Sequence, residues 1–344
     1  MRPDSIRRIA VLRLDRLGDA LVGLPALKGI RRRFPGSHLT LFIGPWGKEF
    51  YKTCPYVDQT VIFVAPWMDG KYRHRNWRSV CSMVSLAYRL WRGHFDLTIG
   101  FRGDPYEILA AFLCRAPHRV DMQHWFFQHL IPEAYPNGFE RFLTQSAPRL
   151  IGEHVLVQNQ AILRLLPGDF AAVDSVLDDL KWFRDDPSWV DRLGEDNNSL
   201  PLAVIHAGAS KRDRWVPIHL AGEIANWLVR DRHFRVIFTG VQEESSYHRE
   251  ILRLTDPSVI SLAGKLSIPQ LMGLLRGARL VVSTDTGVGH LSMSLGTPTV
   301  MLYGSFGGFV WFGPPYAPHQ GIWKGGMEVI QLSDVIQSVE RCLA

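Results

Sequence analysis

Leu280 to Gly304, LVVSTDTGVGHLSMSLGTPTVMLYG, is the stretch that most narrows the folds open to this chain. The apolar run from Leu280 to Ser283 reads as a buried strand and Thr284 to Gly287 as a turn. A helix then starts near Val288 and stops at Gly296, ahead of Pro298. A second apolar run, Thr299 to Tyr303, completes a β-loop-α-β unit. In such a unit, unpaired backbone N–H groups and the positive end of the helix dipole point beyond the strand's carboxyl end. Gly287 and Gly289 are expected to let a bound group approach that backbone, with Asp285 and His290 flanking the cradle. A phosphate or pyrophosphate satisfies several such donors at once. The competing reading is a turn that needs glycine only for its backbone angles. Gly304, Gly307 and Gly308 come nearest to a dinucleotide fingerprint, but no clear amphipathic helix is expected after them, and there is no Walker pattern.

Strands and helices alternate along the rest of the chain, which predicts doubly wound parallel sheets. Strands are expected at Arg8–Asp15, Leu39–Ile43, Thr60–Val64 and Phe95–Phe101, with helices at Ala20–Phe34, Trp77–Trp91, Tyr106–Cys114 and Val155–Leu166. The pattern loosens after Arg119 and passes through the polar, acidic segment near residues 168 to 200, read as a linker. It restarts with strand Leu202–His206, helix His219–Arg230, strand Phe234–Gly240, helix Ser245–Leu254, strand Val259–Leu262 and helix Ile268–Arg276. A last strand near Glu328–Gln331 and helix Ser333–Leu343 close the chain. Two such halves are expected to form a cleft with both sets of strand-end loops facing it.

The 344 residues suit two domains, and 46% hydrophobic residues leave material for two cores. Residues 1–165 hold 23 Lys/Arg against 13 Asp/Glu, a net charge of +10, whereas residues 166–344 hold 16 against 20, a net charge of −4. The basic surplus of the first half points to an anionic partner or to a solvated basic surface. Four scattered cysteines without CxxC spacing point to a reduced, cytoplasmic protein without structural zinc. No apolar run approaches the ~20 residues of a membrane span, and the N-terminus is too charged for a signal peptide.

Several residues at strand ends could carry chemistry. Asp19 could act as a general base on a hydroxyl, or simply cap the helix from Ala20 onwards. Arg102-Gly103-Asp104 is either a substrate loop or a turn closed by an Asp cap. Lys71, Arg73, His74, Arg75 and Arg78, interleaved with Tyr72 and Trp77, fit an acidic or membrane-borne acceptor or a solvated loop. Trp125, Phe126 and Phe127 are expected in a core. Gly208, Ala209 and Ser210 leave room for a ligand, and Lys211, Arg212 and Arg214 would neutralise phosphate. Glu243 and Glu244 could accept ribose hydroxyls. No DxD pair ends a strand and no cluster has metal-ligand spacing, so a metal-independent mechanism is expected.

Together, VLRLDRLGDALVGLPAL, FDLTIGFRGD, HAGASKRDRW, TGVQEE and STDTGVGHLSMSLGTPTVMLYG resemble glycosyltransferase family 9, the ADP-heptose:lipopolysaccharide heptosyltransferase group. The resemblance implies an α/β fold of GT-B type, with two Rossmann-like doubly wound parallel-sheet domains facing a cleft. The expected divisions are an acceptor-binding domain over 1–170, a linker over 171–200, a nucleotide-sugar domain over 201–332 and a C-terminal helix over 333–344. It also implies inverting, metal-independent transfer of a sugar, most plausibly heptose from an ADP-linked donor, onto a lipopolysaccharide core or related cell-envelope glycan. Asp19 matches the family's base, Thr286, Gly287 and His290 its pyrophosphate loop, Asp285 a sugar-contacting carboxylate and Glu244 the ribose ligand. The family's lysine before the tryptophan of HAGASKRDRW is missing, with Asp213 and Arg214 in its neighbourhood and Lys211, Arg212 or Arg214 to replace it. The expected donor site therefore comprises Gly208, Ala209, Ser210, Lys211, Arg212, Arg214, Glu244, Asp285, Thr286, Gly287, Val288 and His290. The expected acceptor site comprises Arg16, Arg73, Arg75, Arg102 and Asp104. The expected partners are the donor as co-substrate, with no cofactor or nucleic acid, an anionic glycolipid or glycan acceptor, and peripheral contact with the inner membrane's cytoplasmic face. The alternatives are a nucleotide-binding oxidoreductase and a non-catalytic nucleotide-sugar or glycolipid binder.

Overall fold

The computed structural model describes residues 3–68, 77–123, 138–150, 152–167, 180–189, 200–314 and 316–344. The chain divides into two compact units, Met1–Ser175 and Val176–Ala344. In the first, strands β1 (Arg8–Arg13), β2 (His38–Ile43), β3 (Gln59–Ile62), β4 (Leu97–Ile99), β5 (His118–Met122) and β6 (Gln145–Ala147) pair in the order β3-β2-β1-β4-β5-β6. All of these pairings are parallel. The central strand β1 is apolar except at its ends, and five of its six residues are buried, as a strand covered on both faces requires. Leu12, Phe42, Phe63, Leu86, Leu90 and Phe95 belong to one core cluster beneath the helices Trp77–Gly93 and Pro105–Leu113.

The second unit is built from β7 (Leu202–His206), β8 (Arg235–Phe238), β9 (Ile260–Ser261), β10 (Leu280–Thr284), β11 (Thr299–Leu302) and β12 (Gln320–Ile322), in the order β12-β11-β10-β7-β8-β9 and again all parallel. Counted from β7, this is the same winding as in the first unit, although the two halves share no visible sequence repeat. The helix Leu332–Leu343 adds Val335, Val339 and Cys342 to this unit's core. Of the segment expected as linker, the described residues 180–189 pack on the second unit. Asp185 pairs with Arg276 at 2.8 Å, and the Asp186 N–H donates to the Pro269 carbonyl at 3.0 Å.

Four expectations are corrected. The strands β5 and β6 occupy the region after Arg119 where the pattern loosened, because HRVDM and QSA carry polar residues and QSA is too short to show a period. The last strand is β12 and not Glu328–Gln331, where a single 3₁₀ turn, Met327–Val329, stands instead. The glycines after β11 do open a helix, Phe306–Phe312, capped by Ser305. Its sequence FGGFVWF is apolar on all sides and so has no amphipathic signature. The helix after β1 starts at Leu17 and not Ala20, so Asp19 lies inside its first turn and Arg16 is the capping residue.

Gly289 is also corrected. A β-carbon there would stand 2.0 Å from Met301 Sδ and 3.2 Å from Ser283 Oγ, so its small size serves the packing of the helix Gly287–Ser294 on β10 and β11. Substituting Gly289→Ala should lower stability by about 1–3 kcal/mol in urea denaturation, the usual cost of overpacking. Adding Met301→Ala should remove most of that additional penalty, and a Gly289→Ala protein as stable as the wild type would exclude the contact.

Candidate active site

In a doubly wound sheet, ligands gather where the strand order reverses, at the carboxyl ends of the two central strands. In the first unit those strands are β1 and β4. Arg13 ends β1 and is only 3% exposed, and a buried guanidinium needs partners. It has an ion pair with Asp15 at 3.3 Å and donates from Nη2 to the main-chain carbonyl of Asp19. Its charge also lies over the Phe101 ring, 5.2 Å from the centroid. The space it fills is left by Gly23, whose absent β-carbon would stand 2.9 Å from Arg13 Cζ. Asp19 is thereby tied to the start of the helix Leu17–Arg33, with its half-exposed carboxylate 3.3 Å from the Arg16 N–H. That position fits the helix-capping reading and leaves the carboxylate accessible, with acceptor capacity beyond its one weak donor.

Asp15 is buried, and burial pushes its carboxyl up to about 6. The Arg13 and Arg102 charges oppose that rise, and the Asp19 charge adds to it. Arg102 follows β4 and is raised because the surrounding acids Asp15, Asp19, Glu107 and Asp104 outweigh its burial. Its loop is held by two carboxylates. Asp121 Oδ1 accepts from the N–H groups of Arg102 (3.1 Å), Gly103 (2.9 Å) and Met122 (2.7 Å). Asp104 accepts from Tyr106 N–H at 2.9 Å as the cap of the helix Pro105–Leu113, as the turn reading expected. Gly103 has φ of +65° and a β-carbon there would stand 2.5 Å from the Gln123 carbonyl, so glycine is required. Of the remaining expected acceptor residues, Arg16 is exposed at the same helix start, whereas Arg73 and Arg75 lie outside the described residues, as do Lys71, His74 and Trp125, Phe126 and Phe127.

Asp121 and Glu107 were not singled out from sequence. Burial pushes Asp121 up to about 7, and burial with the neighbouring Asp104 charge pushes Glu107 well above the ordinary carboxyl range. The spacing Asp104-x-x-Glu107 is a capping-box signature that could have flagged Glu107, yet both its carboxyl oxygens are buried without a hydrogen-bond partner.

In the second unit the central strands are β7 and β10. Gly208 follows β7, and Glu244 fills the room that its lack of a side chain leaves. A β-carbon on Gly208 would stand 2.1 Å from Glu244 Oε1, and one on Gly240 would stand 2.4 Å from Oε2. The Val241 N–H donates to this carboxylate at 3.1 Å, and burial raises its pKa. Thr284, at the end of β10, donates its hydroxyl to the Gly208 carbonyl. The Trp215 Nε1–H donates to the Ala209 carbonyl at 2.7 Å, and the Trp215 ring packs at a tilt of 51° against Tyr247 with centroids 4.6 Å apart.

The three candidate cations separate in this geometry. Arg212 lies over Trp215 at 4.3 Å, Lys211 is exposed, as is Ser210, and Arg214 turns inward to Asp285 at 3.5 Å. His290 Nε2 approaches the other oxygen of Asp285 at 3.6 Å. Thr286 stands at the cap of the helix Gly287–Ser294, with Gly287 and Val288 half-buried in its first turn. The turn after β11 closes on the same carboxylate, because a β-carbon on Gly308 would stand 2.7 Å from Asp285 Oδ2. This third loop, from Ser305 to Gly308, was missed as a site element. The arrangement joins a helix N-terminus, a cation and a carboxylate at one strand end, which suits a ligand carrying both an anionic group and hydroxyls. Among the described residues, no group of three or more His, Cys, Asp or Glu could hold a metal ion.

The buried acids fix how stability should respond to pH. A carboxyl whose folded pKa lies above its unfolded value takes up protons on folding, so its stabilising contribution is complete at low pH and lost as pH rises through the folded pKa. For Asp121 this window runs from about 4 to about 7. Asp121→Asn keeps an acceptor oxygen for the three N–H groups and removes the titration. The wild-type stability minus that of the variant should fall by on the order of 2 kcal/mol between pH 4 and 7 in urea denaturation. A flat difference would show that Asp121 is not a buried acid. Taking the difference also cancels the opposing acid sensitivity of the buried His206, His248 and His319, each lowered to about 4 by burial.

Residues 178–327 match the family model described as glycosyltransferase family 9 (heptosyltransferase). Lipopolysaccharide heptosyltransferase 3 of Escherichia coli is 27% identical over 353 residues, covering 95% of this chain and 96% of that protein. Among solved structures, a family 9 glycosyl transferase from Veillonella parvula superposes with a TM-score of 0.75 at 19% identity, covering 98% of this chain and 97% of that one. The E. coli heptosyltransferase WaaC with ADP superposes with a TM-score of 0.71 at 18% identity, covering 97% and 99%. The fold is thus the one these two-unit enzymes share. The family's model thus matches the unit that carries the Asp285 site, and a heptosyltransferase is similar to this chain along almost its whole length.

Proposed function

We propose that the protein is an inverting, metal-independent glycosyltransferase that moves a heptose from ADP-heptose onto the lipopolysaccharide core or a related envelope glycan, working at the cytoplasmic face of the inner membrane. The observation that carries this reading is the convergence of Arg214 and His290 on Asp285 beside the start of the helix Gly287–Ser294. The relatives are lipopolysaccharide heptosyltransferases, and the WaaC structures hold ADP and ADP-2-deoxy-2-fluoro heptose, which supports the donor assigned.

Asp19 takes the proton of the acceptor hydroxyl as its oxygen attacks the anomeric carbon from the face opposite the diphosphate. The bond from the anomeric carbon to the diphosphate oxygen breaks, ADP departs with the electron pair, and the configuration inverts. The backbone N–H groups at Gly287 and Val288 and the Arg214 guanidinium meet the charge that grows on the leaving diphosphate. Thr286 and His290 border that group, Asp285 holds sugar hydroxyls, and Glu244, seated against Gly208 and Gly240, accepts hydrogen bonds from the ribose hydroxyls. Arg214 takes the place of the family's missing lysine, since it alone of the three candidate cations reaches Asp285. Arg16, Arg102 and Asp104 serve the acceptor, and the basic surplus of residues 1–165 favours an anionic one.

Two measurements test this. Asp19→Asn should lower kcat by about two to four orders of magnitude with little change in donor affinity, and wild-type activity should persist in EDTA. Activity within a few-fold of wild type would leave Asp19 only its capping role, and a requirement for Mg²⁺ would overturn the metal-independent mechanism. Arg214→Ala should weaken ADP binding by roughly 2 kcal/mol in calorimetry, as expected for a lost charge-assisted hydrogen bond, and Lys211→Ala by much less. Equal effects would remove Arg214 from its special place.

A further inference from the structure

The helix Trp77–Gly93 is apolar on two faces whose centres lie about 120° apart at 100° per residue, and only one of them is used by the fold. Inward, Leu86, Ala87 and Leu90 are buried in the core of the first unit. Outward stand Trp77 (70% exposed), Val80 (47%), Val84 (54%), Tyr88 (55%) and Trp91 (52%). Their spacing of three, four, four and three residues keeps them on one line along the helix at 100° per residue, over about 21 Å. They make up five of the twelve large hydrophobic side chains exposed among the described residues. An unbroken exposed stripe of this kind marks an interaction surface, whereas scattered single residues need no explanation.

We infer that this stripe is a docking surface for an anionic lipid bilayer, on which the helix lies parallel to the membrane plane. Two observations select this occupant. The outward face has tryptophan at both ends and tyrosine near one, the residues that favour the boundary between headgroups and acyl chains. The same helix carries Arg78, Arg89 and Arg92, all exposed, and no acidic residue, so it presents cations beside its apolar line and suits anionic headgroups. A second copy of the chain is disfavoured by the same charges, because stripe-to-stripe contact would set these arginines against each other with no acid on the helix to pair with them. No helix among the described residues is long and apolar enough to cross a membrane, and this surface binds without crossing. The inference rests on the helix alone and is independent of the catalytic assignment.

Cys81 is an internal probe. It lies in the second turn of the helix and is exposed, whereas Cys54, Cys114 and Cys342 are buried. The full-length protein, labelled at Cys81 with an environment-sensitive fluorophore, should brighten several-fold with vesicles of phosphatidylethanolamine and phosphatidylglycerol, and much less with phosphatidylcholine or in 0.5 M salt. Unlabelled protein should float with the anionic vesicles. The variant Trp77→Ser/Val84→Glu/Trp91→Ser, changed only at exposed positions, should bind at least tenfold more weakly while melting cooperatively at the wild-type temperature. Equal flotation of wild type and variant would overturn the inference. So would a wild type that sediments as a dimer and does not float, with the variant a monomer, because the stripe would then be covered by a second copy.

Discussion

A parallel strand must be followed by a crossover that brings the chain back to the same end of the sheet, and every pairing in both sheets here is parallel. All strand carboxyl ends of a unit therefore open on one side, and all the loops that can hold chemistry are delivered there. The loop that follows β1 meets the loop after β4, and the loop after β7 meets the loop after β10, although long stretches of chain separate them. Neither Arg102 beside Asp15 nor Arg214 beside Asp285 would follow from local sequence without this winding. The two units reach the same arrangement from unrelated residues.

What the winding brings together differs between the units. In the first, a set of carboxyl groups is buried around two arginines. Asp15, Asp121 and Glu107 are all pushed towards the neutral form by burial, and Asp19 alone of the acids at the end of β1 has open access. An acid buried in its neutral form costs less than one buried as a charge. In the second unit the polar groups are spread along a rim, with backbone N–H groups, one inward arginine and carboxylates at intervals. The first arrangement suits proton removal, and the second suits holding an extended, charged ligand.

The apolar strands were legible from sequence because a strand covered by helices on both faces has to be apolar along its length. Leu202–His206 is such a run, bounded by Pro201 and by the Ala207-Gly208 turn, and it forms over the residues expected. β5, β6 and β12 escaped for the opposite reason. They contain Asp121, Gln145 and Gln320, and their place in the sheet is fixed by neighbouring strands more than by their own pattern. Site residues at strand ends, such as Asp19, Asp285 and His290, could be proposed because a motif points at a position in the winding. Asp121 could not, since its significance lies in holding a loop 18 and 19 residues earlier in the chain. Gly289 misled because a glycine left bare for a ligand and one left bare for a methionine look alike in sequence.

The seat of Glu244 constrains how this site can change over generations. Its carboxylate occupies the volume in which β-carbons on Gly208 and Gly240 would otherwise lie, so the three positions form one spatial unit drawn from three places in the chain. Any larger residue at either glycine arrives in occupied space while Glu244 is present. If Glu244 is shortened first, the same substitution finds a gap to fill. The order of steps therefore matters, and a lineage that enlarges either glycine must pass first through a loss of the acid. Such sign epistasis makes this corner of the site slow to drift even where each residue alone looks replaceable.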